Sequence, residues 1–597
     1  MKQLIAKIML PLVLIIAVCA AVIAVYWPAL SAQAISFDDQ QYVLDNSLVR
    51  NPSFDSAKKF LTEIFKPSTV EGYYQPLSMI SLMLDCAAGA NENNLYIFHR
   101  TSLIIHAANV ALIIIVLYQL FGSIIAAVFV GLIFGLHPMT VEPIPWLSER
   151  KTLLAAFFAF ASLIFYAHFT RTNSKKSFIV CCLMYLFALM SKPTSLPLPF
   201  MMLLIDYWPL KRFSRQTVFE KIPLFILTVV FTVITLVSQN LTAGTLLPGQ
   251  YGHSVENILL IITHNIIFYL SKIFWPVNLS SHYAYPQPFD FSNSLLLMYF
   301  LGTVILILVL IISTQWTKVL LTGWLIFFVA LLPTMQILRF SDVIASNKFV
   351  YLPAIGLLMI FTAFLVALQQ KCYIPVAIII PILLIAAAET FATRHYLAYW
   401  KDSITLYKHM VSLAPNSPPL YGNLGNAYGR LGRYDEASEV LKTAAKLQPN
   451  EPAAHYNLGV NYLKLGEYQQ AIDEFKKTVE LKPDYAEAWN NLGFAYGVFQ
   501  RYDEQIYACK KAIELKPDNF NAYLNLGAAY GNLGKYLEAV DAYAKAVEIN
   551  PNDPRARFGL AAALDKKGEK DAAMQQYEIL KSIDSTSAEK LLQLIKQ

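Results

Sequence analysis

Two adjacent carboxylates, Asp38 and Asp39, stand in the run Phe37-Asp38-Asp39 shortly after the first apolar stretch of the chain. A carboxylate at a membrane surface can take the proton of an attacking hydroxyl or share a divalent cation with its neighbour. The same pair also suits a helix cap or a solvated loop, and both readings stay open at this point. Further on come His137-Pro138 with Glu142, then Ser148-Glu149-Arg150-Lys151, Lys192 inside a Ser191-Lys192-Pro193 break, and Arg339, Asp342 and Lys348 between two late apolar stretches. Ionisable groups at the ends of apolar helices are costly unless paired, so several cations gathered on one side point to a bound anion. Snorkelling and interfacial ion pairing explain each cation taken singly. His99, Arg100, His106 and Asn109 share one helical face and read as a polar packing seam.

The elements that must position these residues are membrane spans. Of 597 residues, 56% are hydrophobic and only 15% charged, where ordinary globular chains carry about a quarter charged. A bilayer core of ~30 Å takes about 20 apolar residues per helix. Uncharged stretches of that order run over residues 8–28, 101–121, 123–141, 152–170, 222–240, 291–313, 319–338, 349–370 and 372–388, and residues 177–205 read as two short helices joined at Lys192. That makes about eleven spans in a polytopic helical bundle. The stretch 257–271, with His264 inside it, is read as interfacial or re-entrant. The start, with Lys2 and Lys7, resembles a signal peptide, but its apolar core is longer than the ~7 to 15 residues of one, which favours an uncleaved first helix. With eleven spans, the N-terminus is cytoplasmic, the basic clusters around Arg171–Lys176 and Lys211–Lys221 fall in cytoplasmic loops, and the loop 31–96 and the C-terminal region face the outside. The six cysteines show no spacing for zinc or a disulfide framework.

Residues 400–597 have another character. Prolines 415, 449, 483, 517 and 551 recur every 34 residues, the period of a tetratricopeptide repeat whose second helix ends at proline. A half repeat at 400–414, four full repeats and a degenerate cap from Pro554 are expected, so the whole is all-α: a membrane bundle followed by an α-solenoid. The divisions are a first span to residue 30, an outside loop 31–96, a bundle 97–399 and the solenoid 400–597. Asn423, Asn457, Asn491 and Asn525 repeat in register, either as a ladder for an extended peptide, as in the nucleocytoplasmic O-linked N-acetylglucosamine transferase, or as an ordinary feature of such repeats. Repeat proteins bind proteins, so a polypeptide partner is expected. The region carries 24 basic and 25 acidic residues, which argues against nucleic acid.

This combination resembles the transmembrane and tetratricopeptide-repeat O-mannosyltransferases and their bacterial relatives, membrane glycosyltransferases of the GT-C fold. The residues carrying the resemblance are Phe37-Asp38-Asp39, Gln75-Pro76-Leu77, His106 to Asn109, His137-Pro138 with Glu142, Ser148 to Lys151, Ser191-Lys192, Lys348 to Pro353, and the repeats. Where the family pattern often has Arg-Tyr, this chain has Lys348-Phe349. The resemblance implies inverting transfer of a mannose-like hexose from a polyprenyl phosphate to a hydroxyl of an acceptor protein. It implies Asp38 or Asp39 as general base, Arg150, Lys151, Lys192 and Arg339 at the lipid phosphate, and His137 and Glu142 as sugar or acceptor contacts. The solenoid would present the acceptor. No cofactor is firmly predicted, though the aspartates leave room for a divalent cation. Two alternatives stand beside this reading: a non-enzymatic membrane scaffold for an envelope or secretion complex, and a transferase of the same fold acting on a surface glycan.

Overall fold

The computed structural model describes residues 2–34, 37–65, 70, 72–243, 254–335, 343–371 and 375–595. Arg339 and Asp342 lie outside the described residues. The chain divides into two units, Met1–Ala414 and Pro415–Gln597, and among the described residues both are helical without a named strand.

In the first unit six helices are long and apolar enough to cross a bilayer: Met9–Ser31, Tyr96–Phe121, Leu147–Thr172, Ile222–Thr242, Val255–Phe274 and Ser294–Ser313. Ile124–Leu136, Val319–Thr334 and Ala354–Gln370 are shorter apolar helices. The run 177–205 forms Lys175–Ser191 and Leu198–Tyr207, because Pro193 cannot donate to the helix ladder and forces Lys192 into an extended backbone. The stretch 257–271, expected as interfacial or re-entrant, lies within the 20-residue helix Val255–Phe274. Ser254 caps its start by accepting the Asn257 N–H, and the Lys272 ammonium turns onto the Val277 carbonyl at 2.7 Å. The lysine therefore closes a 20-residue helix rather than cutting it short. Helices Val319–Leu331 and Ala354–Lys371 cross at glycines, where a Cβ on Gly356 would lie 2.3 Å from the Gly323 carbonyl oxygen. Only glycine permits backbones to approach so closely.

The loop after the first span is a small folded layer. Its helices Ser47–Arg50, Phe54–Thr62 and Pro76–Ala87 enclose Val43, Val49, Phe60, Met79 and Leu82, which pack on Phe98 and Leu147 of the bundle. Apolar burial thus fixes Asp38 and Gln75 against the spans instead of leaving them on a tether.

The second unit stacks five helix pairs, from Pro418–Arg430 with Tyr434–Leu447 to Pro554–Lys567 with Lys570–Ile583, and closes with Ser585–Ile595. Within each pair a small residue meets a large one. A Cβ on Gly459 would come within 2.8 Å of the Phe475 ring. At the end, Ala588 and Leu591 cover the face left by Tyr577 and Leu580, as an uncovered repeat face requires. The helix Ser403–Leu413 packs in the first unit, where the Tyr407 hydroxyl accepts the Phe37 N–H at 3.2 Å.

Candidate functional site

The aspartate turn is held under strain. Phe37 takes φ of +43°, a left-handed conformation that costs a non-glycine residue about 1–3 kcal/mol. Its ring sits 5.2 Å from that of Trp146 and 5.8 Å from that of Tyr407, which fix the turn. The two aspartates then part. Asp39 is fully buried and its Oδ1 accepts the Ser148 N–H at 2.8 Å, tying the loop to the bundle. Asp38 has a side chain 47% exposed, with Oδ2 3.5 Å from Lys151 Nζ.

Glu149 ends the turn Leu147–Glu149 and is completely buried. Three ammonium groups converge on its carboxylate: Lys348 Nζ at 2.8 Å, Lys192 Nζ at 3.0 Å and Lys151 Nζ at 3.6 Å. Lys192 also donates to the Thr152 hydroxyl at 2.7 Å, Lys151 donates to the Tyr42 hydroxyl at 3.0 Å, and Lys348 lies 3.7 Å from the centre of the Trp146 ring. Four segments far apart in sequence supply these groups.

Asp206, Glu220, Arg212 and Lys221 form another, partly buried network in which two acids face two bases. Around Glu149, among the described residues, three cations face Glu149, the partly exposed Asp38 and, through Lys348, the buried Glu142. Three ammoniums gathered on one buried carboxylate suit an anionic group arriving beside them. Lys192 and Lys348 also line a narrow crevice with Thr152, Thr194 and Thr334, whose other walls include Ala155, Ala156, Ala330, Phe349 and Leu352. Ammoniums beside apolar walls suit an amphiphile with an anionic head.

Arg150 is not among these cations. It is fully buried, with its guanidinium on Asp85 at 2.8 Å, the Ser81 and Ser102 hydroxyls and the Phe98 carbonyl. Successive helical residues diverge by about 100°, so Arg150 turns to the loop helix Pro76–Ala87 while Lys151 turns to Asp38. Arg150→Met leaves Asp85 as a buried unpaired charge, so thermal unfolding of the detergent-purified protein should show a loss of about 3–5 kcal/mol. A role at the substrate phosphate would instead lower turnover with melting unchanged.

His137 and Glu142 are engaged in architecture. His137 Nε2 lies 2.9 Å from the Ile273 carbonyl and its Nδ1 accepts the Met139 N–H. Glu142 accepts from Asn347 Nδ2 and Tyr396 hydroxyl, each at 2.9 Å, and from the Lys348 N–H at 3.2 Å, so it clamps the turn that carries Lys348. His106 and Asn109 both meet the Tyr351 hydroxyl, while Arg100 is exposed. Glu149 and Lys348 are the site residues the sequence reading left without a role. The signal for both was their place in two stretches that carry the resemblance, Ser148 to Lys151 and Lys348 to Pro353.

Burial pushes the Glu142 carboxyl up from its ordinary 4.5 to about 7, against the pull of Lys348 and its hydrogen-bond donors. The proton retained on folding stabilises the fold fully below pH 4.5, and that contribution is lost as pH rises through about 7. The ionised form is the better acceptor for the Lys348 turn. Turnover should therefore fall on the acid side of about pH 7, and Glu142→Gln should remove that limb from the pH–rate profile.

In the solenoid, Asn423, Asn457, Asn491 and Asn525 are all half-buried. Asn491 Nδ2 donates to the Tyr456 hydroxyl at 3.3 Å and Asn525 Nδ2 to Asn490 Oδ1 at 3.1 Å.

Tetratricopeptide-repeat family models match residues 406–437, 423–486, 458–520, 520–553 and 542–575, so the C-terminal region is built of these repeats. Among curated proteins the chain is similar to the protein O-mannosyl-transferase Tmtc2 of Drosophila melanogaster, 27% identical over 117 residues. That stretch is 19% of this chain and 12% of that protein's length. Among solved structures, MamA from Desulfovibrio magneticus RS-1 is 24% identical with a TM-score of 0.27, over 28% of this chain and 96% of that one. YrrB, described as a TPR protein with an unusual peptide-binding site, is 18% identical with a TM-score of 0.29, over 31% and 97%.

Proposed function

We propose that the chain is a membrane glycosyltransferase that moves a mannose-like hexose from a polyprenyl phosphate to a hydroxyl of an acceptor polypeptide, with inversion. The observation that carries this reading is the convergence of three ammoniums at Glu149, two of them lining a crevice with partly apolar walls. The lipid tail lies along the crevice, and its phosphate meets Lys192 and Lys348. Asp38, the exposed aspartate, takes the proton from the acceptor hydroxyl as that oxygen attacks the anomeric carbon. The bond from that carbon to the phosphate oxygen breaks, its electron pair stays on the phosphate, and the lysines stabilise the growing charge. The partial similarity to Tmtc2 supports the activity class. The repeats support a protein acceptor, which the asparagine column would hold by its backbone.

The test is direct. Protein reconstituted in lipid nanodiscs is given polyprenyl-phosphate mannose and threonine-containing peptides, and peptide mass is followed. A gain of one hexose is expected. Absence of both glycopeptide and donor consumption would refute the proposal.

A further inference from the structure

The loop layer turns an apolar face away from its own core. In the helix Phe54–Thr62, Ser56 and Phe60 are buried, and Phe60 belongs to the same core as Tyr42, whose hydroxyl accepts from Lys151. At about 100° per residue, Phe54 and Leu61 fall together on the opposite side, with Lys58 beside them. Phe54 is 85% exposed and Leu61 40%, while Phe65, just past the end of the helix, is 51% exposed. Lys58 and Lys59 are exposed as well.

The level of this helix along the bundle decides what covers that face. The Leu61 carbonyl accepts from the Tyr74 hydroxyl at 2.9 Å, and the Tyr74 ring lies 6.4 Å from that of Phe231. Phe231 stands near the middle of the 22-residue helix Ile222–Ala243. Gly72 donates its N–H to the Thr242 hydroxyl at 2.8 Å and accepts from the Ser238 hydroxyl at 2.8 Å. The segment from Gly72 to Tyr74 therefore runs from Thr242 toward the middle of that helix, and the end of Phe54–Thr62 is bonded to it there. The same half of Ile222–Ala243 exposes Val233, Val237 and Leu241, apolar side chains suited to acyl chains. A water-soluble partner would have to enter the acyl layer to cover Leu61.

We infer that the stretch from Phe54 to Phe65 is a phospholipid contact. The helix lies along the leaflet on the loop layer's side, Phe54, Leu61 and Phe65 enter the boundary between head groups and acyl chains, and Lys58 and Lys59 extend to lipid phosphates. A helix with an apolar face flanked by lysines is the form that rests in such a boundary, and the lysine stems carry their ammoniums outward. The contact goes beyond the transferase reading and would stand in a scaffold as well. It has a consequence for Asp38, whose carbonyl accepts the Tyr42 N–H at 3.0 Å. Tyr42 and Phe60 share one core, so a layer seated on lipid through Phe54–Thr62 holds Asp38 at a set height above the leaflet.

Spin labels on the full chain test this in nanodiscs of equal parts phosphatidylcholine and phosphatidylglycerol. The six cysteines are replaced by alanine, and one nitroxide is attached in turn at Leu61→Cys, Phe65→Cys and Lys59→Cys. Val233→Cys on the span and Glu548→Cys on the solenoid, both exposed, give the lipid and water references. Power saturation compares collisions with oxygen, which concentrates in the acyl layer, and with a water-soluble nickel chelate. At Leu61 and Phe65 oxygen collisions should exceed chelate collisions several-fold, as at Val233. At Lys59 the chelate should dominate, as at Glu548. Labels at exposed positions leave the core intact, so each variant should melt like the unlabelled chain. Chelate dominance at Leu61 and Phe65 would place the face in water and overturn the inference. Exclusion of both reagents there would overturn it too, by showing a second copy of the chain or another protein on this face. Neither reading depends on any transferase activity, so the two proposals fail separately.

Discussion

Asp38→Asn should cut transfer by about 10² to 10⁴-fold, the range that a positioned general base contributes, while the protein expresses and melts like the wild type. The stability half follows from exposure: the Asp38 side chain is 47% in solvent and touches Lys151 only at 3.5 Å, and exposed pairs contribute about 0–1 kcal/mol. The activity half follows from position. Among the carboxylates around Lys151, Asp38 is the one an acceptor can reach, since Glu149 is fully buried. Asp39 gives the control. Asp39→Asn keeps an oxygen for the Ser148 N–H and should retain much of the activity. Asp39→Ala strands that buried donor and should lose about 1–3 kcal/mol of stability. A scaffold without chemistry would tolerate Asp38→Asn and still suffer from Asp39→Ala. The reverse pattern, with Asp39→Asn inactive and Asp38→Asn active, would move the base to the buried position.

What the residues announced and what they hid differ for physical reasons. The solenoid was legible because its signal is periodic and local: every 34 residues the same large, small and proline positions recur. The apolar runs were equally plain, and the helix Val255–Phe274 extends beyond the run 257–271 because the Lys272 ammonium reaches the carbonyls past its end. Side-chain direction was the hidden quantity. Arg150 and Lys151 are neighbours with the same charge, and the step of about 100° between them sends one to Asp85 and the other to Asp38. Glu142 and His137 have the chemistry of ligands, but long-range partners such as Asn347, Tyr396 and Ile273 engage them. Nothing local in the sequence names those partners. The gathering of Lys151, Lys192 and Lys348 on one carboxylate likewise depends on contacts across up to 199 residues.

The three ammoniums gathered at Glu149 make the second large effect. Lys192→Met and Lys348→Met should each lower kcat by about 10² to 10³-fold, equivalent to the ~2.7 to 4 kcal/mol lost with one donor to a developing oxyanion. Because both ammoniums meet the same carboxylate, the double variant should cost less than the sum. Glu149→Gln acts in the opposite sense. It leaves three buried ammoniums facing a neutral amide, and the fold should lose about 3–5 kcal/mol, the toll of removing one partner from a buried ion cluster. Lys192→Met added to Glu149→Gln relieves that repulsion, so melting should recover while activity stays low. The decisive reading is the response to ligand. If the cluster exists to receive an anionic lipid head, polyprenyl phosphate should raise the melting temperature of Glu149→Gln more than that of the wild type, since the phosphate supplies the missing negative charge. An uncharged polyprenol should do neither. Equal shifts with both lipids would mean that the crevice reads only the tail and that the lysines serve the fold.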